Sequence, residues 1–260
     1  MSRDLRRMAD LTWTEFRDLL GKVVVVVPLG AVEQHGYHLP LDTDNVVPTA
    51  LGLALAERVP ALVAPSFTYG YKSQPTSGGG GLFPGTTSFD GATFTACVRD
   101  LIRDVARWGQ FAFLFLNGNY ENTYFAIEGI DLAVRDLPKD SVKAVLVNWL
   151  EQIPIARLQE IFDGSFPGWE AEHAGIVETA LIMHADPARV IPEAMEPTIE
   201  WPLPTYTVAP EPPVLVPASG VLRGARGATP EIGRAIFAVL VERLEEIVRR
   251  EFPGLRAGDR

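Results

Sequence analysis

A run of five valines at residues 23–27 constrains the fold of this chain more than any other feature. Lys22 precedes the run and Pro28 follows it, so the apolar segment has the length of a strand. A strand that is apolar at every position is buried on both faces, which is typical of a parallel sheet. We therefore predict that residues 23–27 form a strand inside such a sheet.

Strand and helix patterns alternate along the rest of the chain. Three more strands are predicted at residues 61–65, 111–116 and 142–149, and five helices at residues 46–58, 91–108, 121–135, 175–184 and 230–251. Asp44 and Asp90 are candidate N-caps of the first two helices. Strands that alternate with such helices form right-handed βαβ units, so we predict an α/β fold with a mostly parallel sheet. Residues 1–260 contain no internal repeat or long linker, and we expect a single domain.

The charge and cysteine content exclude several classes of function. The 260 residues carry a formal net charge of −10, whereas nucleic-acid backbones and anionic membrane surfaces attract basic proteins. No apolar stretch approaches the roughly 20 residues that span a bilayer. Cys97 is the only cysteine, so an internal disulfide is impossible. We expect a cytoplasmic protein that acts on a small molecule and binds neither nucleic acid nor membranes.

The first polar cluster follows the valine run. Glu33 and His35 lie in the segment Gly-Ala-Val-Glu-Gln-His-Gly, and Asp44 comes shortly afterwards. Ligand sites in open α/β sheets lie beyond the carboxyl ends of strands, and an extended backbone would point Glu33 and His35 to the same side. Carboxylate and imidazole groups are ligands of Zn²⁺ and Mn²⁺. The cluster therefore predicts a metal site, the alternative being a polar surface loop with unconnected charges.

A second polar cluster, Asn-Gly-Asn-Tyr-Glu-Asn at residues 117–122, follows another very apolar segment and opens a helix. Because it also lies at a strand's carboxyl end, it can face the same crevice as the first cluster. Glu121 is a candidate metal ligand, whereas Asn119 can offer only an amide oxygen, which is a weak and hard donor. The alternative is that Asn117 and Asn122 serve as turn and cap residues.

A third cluster precedes the helix predicted at residues 175–184. Glu172 and His173 form an acid–base pair, and a histidine with a near-neutral pKa suits proton transfer to a leaving nitrogen. Trp169 could line a small-molecule pocket. The alternative interpretation of the Glu-His step is the capped start of a helix. The glycine-rich stretch at residues 77–81 lacks the ending of a phosphate-binding loop, and we expect it to shape or cover the pocket.

In several ordered segments the chain resembles the creatininase (creatinine amidohydrolase) family. They are Gly-Ala-Val-Glu-Gln-His-Gly at 30–36, Phe-Pro-Gly-Thr-Thr-Ser at 83–88, Asn-Gly-x-Tyr-Glu-Asn at 117–122 and Glu-His-Ala-Gly-x-x-Glu-Thr at 172–179. The segment Tyr-Gly-Tyr-Lys-Ser-Gln at 69–74 resembles creatininase proper more than the peptide-processing or formamide-hydrolysing branches. The resemblance implies a three-layer α/β/α fold with a mostly parallel sheet, assembled as a homohexamer.

The resemblance also implies a site for two divalent metal ions, Zn²⁺ and/or Mn²⁺. Glu33 and Asp44 would hold one ion, and His35, Asp44 and Glu121 would hold the other. The family has a histidine ligand of the first ion where this chain has Asn119, and none of the four histidines is an obvious replacement. We therefore predict that the first ion is held weakly and that its position prefers a hard ion such as Mn²⁺.

The implied reaction is the reversible hydrolysis of creatinine to creatine. Glu172 and His173 would handle protons at the scissile C–N bond. The resemblance also implies that four residues contact the substrate: Ser77, Tyr120, Trp169 and Glu170. Trp149 would form a mobile aromatic gate over it. Two alternatives remain: a family member that acts on a different small cyclic amide or polar substrate, and a binding protein whose catalysis is impaired by Asn119.

Overall fold

Four parallel strands form one sheet within residues 3–170, 172–198, 201, 205–210 and 216–255, which the computed structural model describes. They are β1 (Val24–Leu29), β2 (Ala61–Val63), β3 (Ala112–Asn117) and β4 (Lys143–Asn148), and they lie in the order β2-β1-β3-β4. Each pairing between neighbouring strands is parallel. The predicted parallel sheet is confirmed, and every strand overlaps its predicted segment.

The valine run forms the interior of the sheet. Every residue of β1 is buried, with Val24 and Val26 in one hydrophobic core and Val25 and Val27 in a second. Successive side chains of a strand point to opposite faces, so each face of β1 contributes to a different core. The run is apolar throughout because neither of its faces meets water.

Helices cover both faces of the sheet in the described part of the chain. They are α1 (Trp13–Leu19), α2 (Thr43–Leu55), α3 (Gly91–Ala106), α4 (Thr123–Asp136), α5 (Ile155–Ile161), α6 (Ile176–Ala185) and α7 (Pro230–Glu251). Helices α3 and α4 pack in the core that contains Val25, whereas α2, α6 and α7 pack in the core that contains Val24. The predicted three-layer α/β/α architecture is therefore confirmed. Among the described residues, no helix combines the length and hydropathy that a membrane span requires.

The start of α2 differs from the prediction. The helix begins at Thr43 and its N-cap residue is Asp42, so Asp44 lies in the first turn and is not the cap. Helix α4 also begins later than predicted, at Thr123, because Tyr120–Asn122 forms a short 3-10 turn. Asp90 does occupy the N-cap position of α3, although its side chain accepts no capping hydrogen bond.

Helices α1 and α5 are not predicted by the sequence pattern. Each has only seven residues, which is too short for a helical repeat of apolar positions to stand out. A capping box holds the start of α1, because the Thr12 side chain accepts from the backbone N–H of Glu15 and the Glu15 side chain accepts from that of Thr12. By contrast, the bounds of α7 are those predicted.

The ends of β1 and β3 bring the first two polar clusters together. Leu29, the last residue of β1, pairs with Asn117, the last residue of β3. The backbone N–H of Gly118 donates to Leu29 O over 2.7 Å. A Cβ at Gly118 would lie 2.1 Å from Asp44 O, so glycine lets this turn pass close to the start of α2. Both clusters therefore leave the sheet at the same edge.

Candidate active site

Buried polar side chains converge beyond the carboxyl ends of β1 and β3. Glu33 and His35 lie in the loop after β1, Asp44 in the first turn of α2, Asn119 just after β3, and His173 shortly before α6. All five side chains are buried. Burying several ionisable groups costs free energy unless they are paired, hydrogen-bonded or bound to a metal ion. The partners of each group therefore indicate what the site can do.

The hydrogen bonding of His35 leaves one ring nitrogen free to bind a cation. His35 Nδ1 lies 3.1 Å from the carbonyl oxygen of Glu33 and donates to it, which leaves the lone pair on Nε2. His35 Nε2 lies 3.1 Å from Asp44 Oδ1. This contact is not aligned as a hydrogen bond, and neither His35 Nε2 nor Asp44 Oδ2 has a hydrogen-bond partner in the described residues. A divalent cation fits these two groups, since imidazole nitrogen and carboxylate oxygen are both its ligands.

The charges around His35 also favour a positive ion. Burial lowers the pKa of His35, but the carboxylates of Asp44, Glu178 and Glu33 outweigh this effect and raise the pKa to about 10. Metal ions compete with protons for the same lone pair. The negative charges that stabilise a proton on His35 would therefore also stabilise a divalent ion in its place.

Glu178 is a member of this site that the sequence analysis does not predict. Its Oε2 atom lies 3.8 Å from His35 Nε2 and accepts a hydrogen bond of 2.7 Å from Ala174 N. Burial raises the pKa of Glu178 to about 8. His35, His173 and Glu178 each place a ligand atom within 4.8 Å of the others, a grouping that could hold a metal ion. A signal for Glu178 exists, because it belongs to the family segment at residues 172–179.

Hydrogen bonds hold the carboxylate of Glu33. Ser73 Oγ donates to Glu33 Oε1 over 2.6 Å, and Asn119 Nδ2 donates to Glu33 Oε2 over 3.2 Å. Burial, and then the charges of Asp44 and Glu121, raise the pKa of Glu33 well above its usual value. Both oxygens of Glu33 thus have protein partners, unlike the free atoms of His35 and Asp44.

The orientation of the Asn119 side-chain amide cannot be predicted from the sequence. Asn119 Oδ1 accepts a hydrogen bond of 3.0 Å from the backbone N–H of Glu121. Because a backbone N–H needs an acceptor, the oxygen must face Glu121 and the NH₂ group must face Glu33. We expected the amide oxygen to be a weak metal ligand. In this arrangement the oxygen faces the backbone N–H of Glu121, and the group that faces Glu33 is a nitrogen without a lone pair to offer.

The glycine-rich stretch lies directly on the site, as we expected. Ser77 Oγ donates a hydrogen bond to Glu121 Oε1, and burial raises the pKa of Glu121. A Cβ at Gly78 would lie 1.4 Å from Glu33 Oε1, so any other residue at this position would displace the Glu33 carboxylate. The stretch therefore packs its backbone against the carboxylates and shapes one wall of the site.

Glu172 and His173 have different partners. Glu172 Oε1 accepts hydrogen bonds from the backbone N–H groups of Val177 (2.8 Å) and Glu178 (3.2 Å), so its carboxylate caps α6. The alternative interpretation of the Glu-His step, as the capped start of a helix, therefore applies to Glu172. His173 Nε2 lies 2.7 Å from the carbonyl oxygen of Gln34. Burial, and then the charge of His35, lower the pKa of His173 well below its usual value.

Trp169, which lies shortly before His173 in the chain, contacts two other aromatic residues. The ring of Trp169 contacts Trp149 edge-on, with centroids 6.3 Å apart, and Phe166 likewise at 5.4 Å. Trp149 is buried, whereas Tyr120 and Glu170 are exposed. Of the predicted substrate contacts, Trp149 and Trp169 therefore touch one another, and Ser77 touches Glu121.

Comparison with known proteins shows to which family the chain belongs. The creatinine amidohydrolase family model, named Creatininase, matches residues 9–248. The chain belongs to the creatininase family. A creatinine amidohydrolase from Pseudomonas putida is 42% identical over 255 residues, which cover 95% of this chain and 97% of that protein. A solved structure described as creatininase with Mn superposes with a TM-score of 0.92 at 40% identity, covering 96% of this chain and 100% of that one.

A second relative is named for a different activity. It is a mycofactocin precursor peptide peptidase from Mycobacterium tuberculosis, 30% identical over 250 residues that cover 88% of this chain and 86% of that protein. The chain is therefore more similar to the creatinine amidohydrolase, at 42%, than to this peptidase. The higher identity to the creatinine amidohydrolase agrees with the resemblance to creatininase proper in the segment at residues 69–74.

Two more buried polar residues of this creatininase-family site are missed by the sequence analysis. Ser73 holds Glu33, and Gln34 contacts His173. Both lie inside family segments, at 69–74 and 30–36, but their partners are distant in sequence. The segments could have marked them as candidates, whereas their contacts depend on the fold.

Proposed function

We propose that this chain hydrolyses a C–N bond in a small cyclic amide, with creatinine as the substrate and creatine as the product. One observation carries the proposal: in a member of the creatininase family, His35 Nε2 and Asp44 Oδ2 are buried without hydrogen-bond partners, and the ring of His35 lies 4.4 Å from that of His173. Amide hydrolysis needs an activated water and a proton for the leaving nitrogen. The first two groups suit a metal ion, and the third suits proton transfer.

The proposed metal ligands fall into two sets that share Asp44. His35, Asp44 and Glu121 would hold one divalent ion, and Glu33 and Asp44 the other, with Zn²⁺ or Mn²⁺ as the ions. A divalent ion bound there supplies a Lewis acid for the amide carbonyl and lowers the pKa of water. The free atoms of His35 and Asp44 support the first set. Asn119, whose nitrogen faces Glu33, makes the second position the weaker one.

His173 is the proposed proton carrier. Its lowered pKa keeps the buried ring neutral at pH 7, so it can accept a proton and pass it to the departing nitrogen. Glu172 caps the helix that follows, and its contacts support a positioning role for the backbone that carries His173. Direct proton handling by Glu172, which the family resemblance implies, stays a prediction.

Aromatic and polar side chains are proposed to hold the substrate. Creatinine is small and flat, and the faces of Trp149 and Trp169 suit a flat ring. Tyr120, Glu170 and Ser77 are the proposed polar contacts. Tyr120 lies beside Glu151, whose charge raises the pKa of Tyr120, so its hydroxyl stays protonated.

We also propose that residues 1–260 form a single catalytic domain, that it assembles as a homohexamer, and that it works in the cytoplasm. Large apolar side chains on the outer side of α4, Tyr124 and Ile127, are 75% and 48% exposed, and assembly would cover such surface. Light scattering coupled to size-exclusion chromatography tests the hexamer. A monomer over the whole accessible concentration range would exclude it.

The experiment that tests the function combines metal analysis with a substrate assay. The purified chain is loaded with Zn²⁺ or Mn²⁺, and conversion of creatinine to creatine is followed in both directions. Turnover that is lost on chelation and restored by either ion is the expected result. Metal binding without turnover of creatinine, but with turnover of another cyclic amide, would replace the substrate. Creatinine binding without any turnover would favour the impaired binding protein.

A further inference from the structure

The side-chain amide of Gln34 joins four segments of the chain. Gln34 is buried, and its Nε2 atom lies 2.9 Å from Gly78 O and 3.0 Å from Gly220 O. Its Oε1 atom accepts a hydrogen bond of 2.9 Å from Gly36 N. His173 Nε2 lies 2.9 Å from the same amide nitrogen. One side chain thus connects the loop after β1, the glycine-rich stretch, the loop at Gly220 and the segment before α6.

The hydrogens on this amide decide which contacts are hydrogen bonds. An amide nitrogen donates twice and accepts nothing, and the carbonyl oxygens of Gly78 and Gly220 can only accept. Those two oxygens therefore use both hydrogens of Gln34 Nε2. No hydrogen remains for His173 Nε2, which must find its partner elsewhere.

The backbone oxygen of Gln34 provides that partner. It lies 2.7 Å from His173 Nε2. If His173 Nε2 carried a lone pair, two lone pairs would face one another at hydrogen-bond distance, which is repulsive. His173 Nε2 therefore carries a proton and donates it to Gln34 O. In the neutral ring the lone pair is then on Nδ1.

Two glycines let the backbone pack closely against this amide. A Cβ at Gly220 would lie 2.1 Å from Gln34 Oε1, and Gly220 has a φ of +75°, which favours glycine. Gly36, whose N–H binds Gln34 Oε1, also has a positive φ, +67°. The side-chain hydrogen bonds of Gln34 therefore tie down the residue whose backbone oxygen accepts from His173.

We propose that Gln34 is a positioning residue that holds His173 in its Nε2-protonated tautomer, so that Nδ1 is the nitrogen that exchanges a proton with the substrate. The inference rests on the proposed role of His173 in hydrolysis. It assigns Gln34 a task that a residue merely packed between loops would not have. It also removes His173 Nε2 from the candidate metal ligands.

The chain contains a matched control for Gln34. Gln110 is also buried, its Nε2 atom donates to Val23 O and Ala112 O at 2.8 Å each, and its Oε1 atom accepts from Gly21 N at 3.2 Å. It therefore makes the same set of backbone bonds at the opposite edge of the sheet, where β1 and β3 begin. It has no histidine to position.

The kinetic test compares Gln34→Met with Gln110→Met. Both variants remove a buried amide, so both should lower the melting temperature. Only Gln34→Met should lower kcat, by about 10- to 100-fold as for residues that orient an active group, with KM and metal content little changed. In a His173→Ala background, Gln34→Met should cause little further loss, because the two residues act as a unit. Additive losses, or an equal fall of kcat in Gln110→Met, would overturn the proposal.

A spectroscopic test does not depend on activity. Labelling the four histidines with ¹⁵N gives a small set of ring signals, and His173→Ala identifies the one from His173. The expected signal is that of the Nε2-protonated tautomer, with a shift toward a mixture in Gln34→Met. An Nδ1-protonated ring in the native protein would contradict the proposal. Absence of creatinine turnover would instead remove the proposed function and leave the tautomer result standing.

Discussion

The two halves of the site satisfy their buried charges in different ways. The His35 half consists of His35, Asp44 and Glu178, and two of its buried atoms have no hydrogen-bond partner in the described residues. The Glu33 half consists of Glu33, Ser73 and Asn119, and both carboxylate oxygens of Glu33 accept hydrogen bonds from the protein. The halves are equally deep. Unpartnered atoms, rather than burial or charge, therefore distinguish the position that is open to a cation.

The difference has a simple physical cause at Asn119. An imidazole can direct a lone pair at a metal ion, and its other nitrogen can donate to a neighbour that strengthens the ligand. An amide whose oxygen binds a backbone N–H presents only N–H groups on its other side. Such N–H groups stabilise Glu33 as a hydrogen-bond acceptor, so they compete with a metal ion for the same carboxylate.

The largest effect is expected from Asp44, which both proposed sets of metal ligands share. Asp44→Ala should remove all tightly bound metal and lower kcat/KM by about 10³-fold or more, since metal catalysis is worth several kcal/mol. Elemental analysis and the creatinine assay measure the two losses. Asp42→Ala is the matched control, because Asp42 pairs with Arg189 outside the site and should retain metal and activity. Metal retained in Asp44→Ala would contradict the proposal that Asp44 is a ligand of both ions.

The next effect separates proton transfer from metal binding. His173→Ala should lower kcat by about 10²- to 10⁴-fold, the usual contribution of a general acid or base, while metal content stays unchanged. His184→Ala is the control, since His184 packs edge-on against Phe237 at 5.0 Å and has no proposed role. If His173→Ala loses metal, then His173 is a ligand in the group that it forms with His35 and Glu178.

A smaller effect is expected when the Glu33 half is converted into a metal position. Asn119→His should strengthen binding of the weaker ion, at Glu33 and Asp44, by about 10- to 100-fold, because an imidazole lone pair replaces an N–H group. Calorimetric titration with Mn²⁺ and Zn²⁺ measures both binding steps. Asn119→Leu, which offers neither a lone pair nor an N–H, should not gain the second step. Two equally tight steps in the native protein would show that Asn119 is no obstacle.

The smallest effect concerns the hydrogen bonds that hold Glu33. Ser73→Ala removes the donor to Glu33 Oε1 and the acceptor of Gly80 N, which lies 3.1 Å from Ser73 Oγ. It should lower the free energy of unfolding by about 1–3 kcal/mol, as expected for unsatisfied buried polar groups. Chemical denaturation measures this loss, and binding of the tight ion at His35 should not change. A loss of that ion would mean that the two halves are coupled.

Sequence patterns predict the sheet and the place of the site well, for a local reason. The valine run and the segment before Asn117 are strands because every residue is apolar, and polar clusters follow both. The start of α2 is predicted less well. Asp42 and Asp44 are equally good N-cap residues by type, and the sequence alone does not show that Asp42 is the one that occupies the cap.

The partners of the polar groups could not be predicted from the sequence. Gln34 and His173, or Ser73 and Glu33, are far apart in the chain, and no local pattern records a hydrogen bond between them. The orientation of the Asn119 amide has the same origin. It depends on the backbone N–H of Glu121, whose direction is set by the 3-10 turn at Tyr120–Asn122.

Because Leu29 pairs with Asn117, metal uptake would also report whether β1 and β3 are paired in the correct register. A slip of one residue between β1 and β3 would turn every side chain of one strand to the other face and displace the loop that carries Glu121 from the one that carries His35. A molecule with slipped strands could still collapse around its valines, but it could not assemble the ligands. The fraction of chains that take up one tight ion would then count the correctly registered molecules in a preparation, without any substrate.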